Sequence, residues 1–126
     1  MLYGIRWWWV LLGAVLTELS LFVLVVPLYM LPNGATIVLY IVGPACLAAA
    51  FVFGWWTARR AGASFALHGT LVGIAASLIY IAMTWSKTLP LVYSLSHILK
   101  VIGGAAGGLL AARQAQKSAT PAEMAT

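Results

Sequence analysis

Residues 94–108 have the sequence SLSHILKVIGGAAGG, in which a histidine and a lysine lie inside an apolar run and four glycines follow. Ionisable side chains are costly in a bilayer, so a lysine within a membrane-spanning helix is expected to face the interior of the protein. The glycines form two overlapping G-x-x-x-G pairs, Gly103 with Gly107 and Gly104 with Gly108, a pattern that allows close helix approach. This stretch therefore predicts a tightly packed membrane helix that carries a buried charge.

The composition of the whole chain points to the same class of protein. Of its 126 residues, 63% are hydrophobic and only 7% are charged, whereas soluble domains are about one quarter charged. The formal net charge of +5 does not indicate nucleic-acid binding, because the basic residues stand one or two at a time between apolar segments. We predict an integral membrane protein whose surroundings are the lipid bilayer and which binds no nucleic acid.

Four segments are long enough to cross a membrane, which takes about 20 apolar residues. They cover about residues 8–30, 35–57, 64–84 and 89–112. Because the connections are short, successive helices should be antiparallel neighbours. The predicted fold is an all-α membrane protein, a four-transmembrane-helix antiparallel bundle over residues 1–113, followed by a polar, disordered tail over 114–126.

The basic residues also predict an orientation. One side of the membrane receives Arg6, Arg59, Arg60, Arg113 and Lys117, and the other receives Lys87 alone. The positive-inside rule then places both termini in the cytoplasm. The membrane we expect, on the resemblance described below, is a bacterial cytoplasmic (inner) membrane.

Small residues predict how the helices pack. The third span carries Gly69 and Gly73 four residues apart, so it should pack against the glycine face of the fourth span. That face is wider than one neighbour requires. Its second neighbour is either another helix of the same chain or another subunit.

Glu18 and Lys100 are predicted to form a buried ion pair. At a rise of 1.5 Å per residue, each lies about 15–17 Å inside its span, close to the midplane of a core about 30 Å thick. The first and last helices of a four-helix bundle are commonly adjacent, and His97 shares the face of Lys100. Hydrogen bonds to the pair are expected from Thr17, Ser94 and Ser96.

The pair has two interpretations. It either fixes the register of the first and fourth spans or forms, with His97, a proton- or ion-coupled site.

His68 raises the alternative of a haem or chlorophyll ligand. The levels of His68 and His97 differ by about 12 Å, too far for one iron between them, so only a single axial ligand remains open. The prediction is otherwise no cofactor. The chain has two acidic residues and one cysteine, with no metal-ligand cluster and no nucleophile motif, so we predict no metal site, no catalytic residue and no enzyme.

Two segments resemble small four-span bacterial membrane proteins of unknown function. Residues 53–80, FGWWTARRAGASFALHGTLVGIAASLIY, contain a G-x-x-x-A-x-R loop pattern followed by a span that opens with H-G-x-L-V-G. The closing helix of the same proteins is similar to KVIGGAAGGLLAAR, residues 100–113. The resemblance covers the organisation of the later part of the chain and implies no activity.

Three functions follow as hypotheses. The first is a non-enzymatic accessory or scaffold subunit, or a homo-oligomer, that docks through its glycine-rich faces within a larger membrane complex. The alternative is a small proton- or ion-coupled transporter that uses Glu18, His97 and Lys100. The third is a haem- or chlorophyll-binding subunit.

Overall fold

A computed structural model describes residues 4–85, 87 and 91–124, with side chains as far as residue 118. The four helices are α1 (Trp7–Tyr29), α2 (Gly34–Ala61), α3 (Phe65–Met83) and α4 (Leu91–Met124). Each is long and apolar enough to cross a membrane. The predicted all-α four-helix bundle is confirmed, and the chain is an integral membrane protein.

Hydrogen bonds between helices define the two ends of the bundle. The backbone N–H of Arg6, just before α1, donates to His68 in the first turn of α3. Trp55, near the end of α2, donates from its indole nitrogen to the Gln114 side chain of α4 at 2.8 Å. We call this the arginine end, since Arg6, Arg59, Arg60 and Arg113 lie there. At the opposite, Lys87 end, Tyr29 of α1 meets Tyr93 of α4.

The helix boundaries follow local chemistry. Helix α2 ends because Gly62 takes a left-handed conformation, with φ of +74°, and its N–H bonds the Ala58 carbonyl. Helix α4 differs from the prediction, since it continues as a helix through most of the segment 114–126 expected to be disordered. Residues 112–117 are Ala, Arg, Gln and Lys, which favour a helix. The predicted start of the fourth span, residues 89–90, lies outside the described residues.

The glycines of α4 form two edges that face two different helices. Carbon atoms added as Cβ at Gly103 and Gly107 would overlap the backbone oxygens of Leu47 and Phe51 on α2. On the other edge, a Cβ at Gly104 would overlap the Gly69 carbonyl oxygen of α3. The second neighbour of the glycine face is thus a helix of the same chain.

Helices α2, α3 and α4 meet where three glycines coincide. A Cβ at Gly54 of α2 would lie 2.9 Å from the Cα of Gly104, and one at Gly69 would overlap the Gly104 oxygen. Backbones this close gain van der Waals contact that bulkier side chains would prevent. The three helices α2, α3 and α4 therefore form one tightly packed unit. We call this unit of three helices the glycine trio.

Helix α1 is fixed to this trio at the arginine end. A Cβ at Gly13 would overlap the hydroxyl oxygen of Thr57, and Val72 lies next to it. The Thr57 hydroxyl also donates to the Trp9 carbonyl at 3.4 Å. Arg60 stands over the rings of Trp9 and Trp56, which pack edge to face with centroids 5.7 Å apart.

We predict that Gly104→Ala lowers the free energy of unfolding in detergent micelles by about 1–3 kcal/mol, because the new methyl group forces α3 away from α4. The matched control is Gly43→Ala, whose Cβ would meet only a Leu99 methyl group at 3.3 Å. Thermal unfolding followed by circular dichroism measures both. Equal midpoints for the two variants would contradict the packing described above.

Candidate functional site

Glu18 and Lys100 form an ion pair in the middle of the bundle. The Lys100 ammonium lies 2.5 Å from Glu18 Oε1 and donates a hydrogen bond to it. The two side chains are only 2% and 7% exposed, for Lys100 and Glu18 respectively. A charge-assisted hydrogen bond of this kind is the arrangement that makes two buried charges tolerable in an apolar interior.

The spacing of each helix accounts for the burial of the pair. In α1, Glu18 follows Gly13, Ala14 and Thr17 and precedes Leu21, so it belongs to the buried stripe of that helix. In α4, Ser96, Lys100 and Gly104 are buried and four residues apart. The glycine trio orients α4, and that orientation directs Lys100 inward.

The prediction that α1 and α4 are adjacent is wrong. Among the described residues, no Cα atom of α1 lies within 8 Å of one of α4, whereas each of these helices packs against α2 and α3. The two helices face each other across the bundle. The long lysine side chain spans the gap, which is why the charges meet although the backbones do not.

Tyr80 and His97 complete the surroundings of Lys100. The ammonium lies 5.0 Å from the centre of the Tyr80 ring, a cation–π arrangement. The His97 ring lies 5.1 Å from the Tyr80 ring, and its buried Nδ1 has no hydrogen-bond partner in the described part of the chain. Tyr80 was not singled out from the sequence, although it continues the stripe Gly69, Gly73, Ser77 on α3.

The hydroxyl groups expected around the pair bond elsewhere. Thr17 donates to the Gly13 carbonyl and Ser96 to the Tyr93 carbonyl, each on its own helix. Ser94 is exposed. In a medium without water, a hydroxyl finds the carbonyl three or four residues earlier as its nearest acceptor. The ion pair is therefore held by its own two members, with Tyr80 and His97 beside it.

A cavity of about 390 Å³ leads from the ion pair towards the Lys87 end. Glu18 and Lys100 form its floor, and exposed Lys87 lies at its mouth. Residues of all four helices line it, and its walls include Leu21, Phe22, Val25, Val26 and Val42. From Glu18 to Tyr29 the helix rises about 16 Å, so the cavity is elongated along the bundle axis.

Two tyrosines join α1 to α4 near the mouth of the cavity. The hydroxyl oxygens of Tyr29 and Tyr93 lie 2.6 Å apart, and both residues line the cavity. Together with the ion pair, this hydrogen bond is the direct link between α1 and α4 in the described residues. Polar contacts between side chains, rather than backbone packing, thus close the cavity on that side.

His68 lies apart from this site and has a different role. Its ring is fully buried; Nε2 accepts the Arg6 backbone N–H at 3.1 Å and Nδ1 donates to the Ser64 carbonyl at 3.0 Å. Both nitrogens are engaged, with the proton on Nδ1 the only assignment that satisfies both bonds. A haem or chlorophyll ligand would need one of these nitrogens, so the geometry gives His68 a structural role at the arginine end.

No group of three His, Cys, Asp or Glu side chains suited to a metal ion occurs in the described residues. Comparison with known proteins finds no match to this chain among family models, curated proteins or solved structures. The function is accordingly inferred from the geometry of the ion pair and its cavity.

We predict that Lys100→Met lowers the free energy of unfolding at neutral pH by about 3–5 kcal/mol, because it leaves the Glu18 carboxylate buried without its counter-charge. The double variant Glu18→Gln, Lys100→Met should regain at least half of the loss. Thermal unfolding of the single and double variants in detergent measures this cycle, and strictly additive effects would contradict a coupled pair.

We also predict that His68→Ala lowers the free energy of unfolding by about 1–3 kcal/mol, because the Arg6 N–H loses its acceptor. The loss should be accompanied by faster amide exchange at the start of α1, measured by hydrogen–deuterium exchange and mass spectrometry. Unchanged exchange there would mean that His68 does not hold the N-terminus of α1.

Proposed function

We propose that this protein is a small transport protein of the bacterial cytoplasmic membrane that carries a solute through the central cavity and couples its passage to protonation of Glu18. The observation that carries this proposal is the placement of the ion pair at the floor of a cavity, rather than in a sealed core. Charged groups that line cavities inside a membrane are typical of ion and proton pathways.

The distribution of helix contacts supports a moving part. The glycine trio is held by backbone contacts that leave no room for even a methyl group. Helix α1 packs on α3 and α2 through Gly13 at the arginine end and on α2 through Leu21 and Val25 further along. Among the described residues its Cα atoms stay more than 8 Å from those of α4, and the ion pair and the Tyr29–Tyr93 hydrogen bond bridge that gap. Opening the Tyr29–Tyr93 and Glu18–Lys100 contacts, with Leu21 and Val25 sliding on α2, would let α1 move away from α4 and widen the cavity.

The predicted orientation of the chain supports a cavity that opens to the outer side of the membrane. The arginines favour the cytoplasm under the positive-inside rule, and Lys87 at the opposite end marks the outer surface. The bundle is short for a carrier and contains no evident inverted repeat. We therefore infer a homodimer, in which a second copy completes the pathway at the arginine end.

The accessory-subunit hypothesis is less well supported by the geometry. Its docking surface was to be the glycine faces, but Gly103, Gly104, Gly107 and Gly108 are buried against α2 and α3 of the same chain. A partner could reach them only by separating the bundle. The cavity would also have no task in a purely structural subunit.

The proposal predicts proton movement that depends on Glu18. Proteoliposomes loaded with a pH-sensitive dye are exposed in turn to small carboxylates, small amines and inorganic salts. At least one class should change the internal pH through the wild-type protein, and Glu18→Gln should reduce that rate at least tenfold, because the amide cannot take up a proton. Glu123→Gln, which alters the other acidic residue of the chain, should leave the rate unchanged.

The outcome that rejects the transport proposal is equally defined. If none of the three classes moves protons through the wild-type protein with either sign of membrane potential, the cavity is not a transport pathway. Equal rates for Glu18→Gln and Glu123→Gln would reject the coupling role of Glu18.

A further inference from the structure

We propose that the solute bound in this cavity is the anion of a small organic acid, whose carboxylate replaces that of Glu18 at the Lys100 ammonium while Glu18 takes up a proton. This inference rests on the proposed function, since it names the class of solute that the cavity would carry.

The charges that line the cavity favour an anion. Glu18 is the only acidic side chain among its lining residues, and it is paired with Lys100. Lys87 at the mouth adds a second positive charge to the lining. A cationic solute would meet the net positive charge of Lys87, Lys100 and Glu18 taken together. An anion is attracted by Lys87 at the mouth and by Lys100 at the floor.

Lys100 can keep its position when Glu18 leaves it. The Tyr80 ring lies 5.0 Å from its ammonium and stabilises the cation without contributing a negative charge. The ammonium is nearly inaccessible to solvent, so it requires an anion at all times. Exchange of one carboxylate for another meets that requirement, and a neutral solute would not.

His97 offers a second anchor for the incoming carboxylate. It lines the cavity beside Lys100, and its buried Nδ1 lacks a hydrogen-bond partner in the part of the chain that the structure describes. A buried polar atom without a partner is destabilising, and with the proton on Nδ1 this nitrogen is a donor that a ligand can satisfy. A ligand carboxylate has two oxygens, so one can accept from Lys100 and the other from an Nδ1–H of His97.

The walls of the cavity specify the rest of the ligand. Between the charged floor and Lys87 the α1 side contributes Leu21, Phe22, Val25 and Val26. Hydrocarbon gains free energy on leaving water for such a surface, whereas phosphate or chloride has no hydrocarbon to bury there. The occupant is therefore an organic monocarboxylate with a short apolar chain.

The protons and charges balance in this exchange. Before binding, the floor holds one carboxylate and one ammonium; afterwards it holds a neutral Glu18, the same ammonium and the ligand carboxylate. One proton enters from water with each anion, so the transfer is electroneutral. Other titratable or charged side chains face Glu18 from all four helices and the mouth: Tyr29, Cys46, Tyr80, Lys87, Tyr93, His97 and Lys100. Of these, only His97 ordinarily titrates near neutral pH.

The experiment compares three probes of equal length and different charge, butyrate, butyramide and butylammonium, by calorimetry on the purified full-length protein in detergent. We expect butyrate to bind, with uptake of one proton measured in weakly buffered solution. Its affinity should rise about tenfold for each unit by which the pH is lowered, as linkage to one proton requires. Butyramide and butylammonium should bind at least tenfold more weakly.

Two variants locate the proton and the anion. Glu18→Gln keeps Lys100 and mimics the protonated carboxyl. It should bind butyrate without proton uptake, and its affinity should no longer rise as the pH is lowered. His97→Phe keeps an aromatic ring against Tyr80 but removes the Nδ1–H, and should weaken butyrate binding several-fold while proton uptake persists. The two variants also control for misfolding, because proton uptake on butyrate binding should be lost in Glu18→Gln and retained in His97→Phe.

Three results would overturn the inference. They are tighter binding of butylammonium than of butyrate, equal binding of chloride or phosphate and butyrate, and butyrate binding by the wild type without proton uptake. Failure of the transport proposal is a separate result. In that case butyrate binds with its proton, but proteoliposomes show no flux. Conversely, proton-coupled flux of an amine would support the transport proposal and contradict the proposal that the solute is a carboxylate.

Discussion

An ammonium group in the middle of a membrane bundle must have a counter-charge within reach, and Lys100 obtains its only close one from Glu18 in the described residues. This requirement connects α1 to α4 although their backbones do not approach each other. The glycine trio fixes the direction of Lys100, and Lys100 in turn fixes the depth of α1 through Glu18. The ion pair thus adds a link from α1 to α4 to the packing of α1 on α2 and α3.

The two ends of the bundle differ because small and large residues are distributed unequally along α1. Near the arginine end, Gly13 and Ala14 allow contact with Thr57 and Val72. Beyond Glu18 the helix presents Leu21, Phe22 and Val25, which line the cavity. There α1 still packs on α2, because Leu21, Val25 and Leu28 belong to or contact a core cluster with Val38, Val42 and Cys46. The open space therefore lies between α1 and α4, while α2 supports α1 along both halves.

The sequence predicted the spans and the two partners of the charge pair, because the length of an apolar segment and the presence of opposite charges within two such segments can be read directly from it. The adjacency of α1 and α4 was predicted wrongly, since a lysine side chain can bridge a gap and charge complementarity alone does not specify neighbouring backbones. One hydrogen bond of His68 depends on the position of Arg6, just before α1, relative to α3. The contact of Tyr80 with Lys100 depends on how α3 is rotated about its own axis relative to α4. The cavity is set by distances between helices, which no local pattern contains.

The cavity bears on whether the ion pair only fixes the fold. A pair that serves register alone is strongest when it is sealed, because water raises the local dielectric constant and weakens the attraction. The register of α4 with α2 and α3 is already set by glycine contacts, and α1 is held at the arginine end by Gly13, Trp9 and Arg6. A further buried pair adds little net stability. Its location at one end of a cavity, beside an unpaired histidine nitrogen, is the observation from which we propose that the pair exchanges its partners.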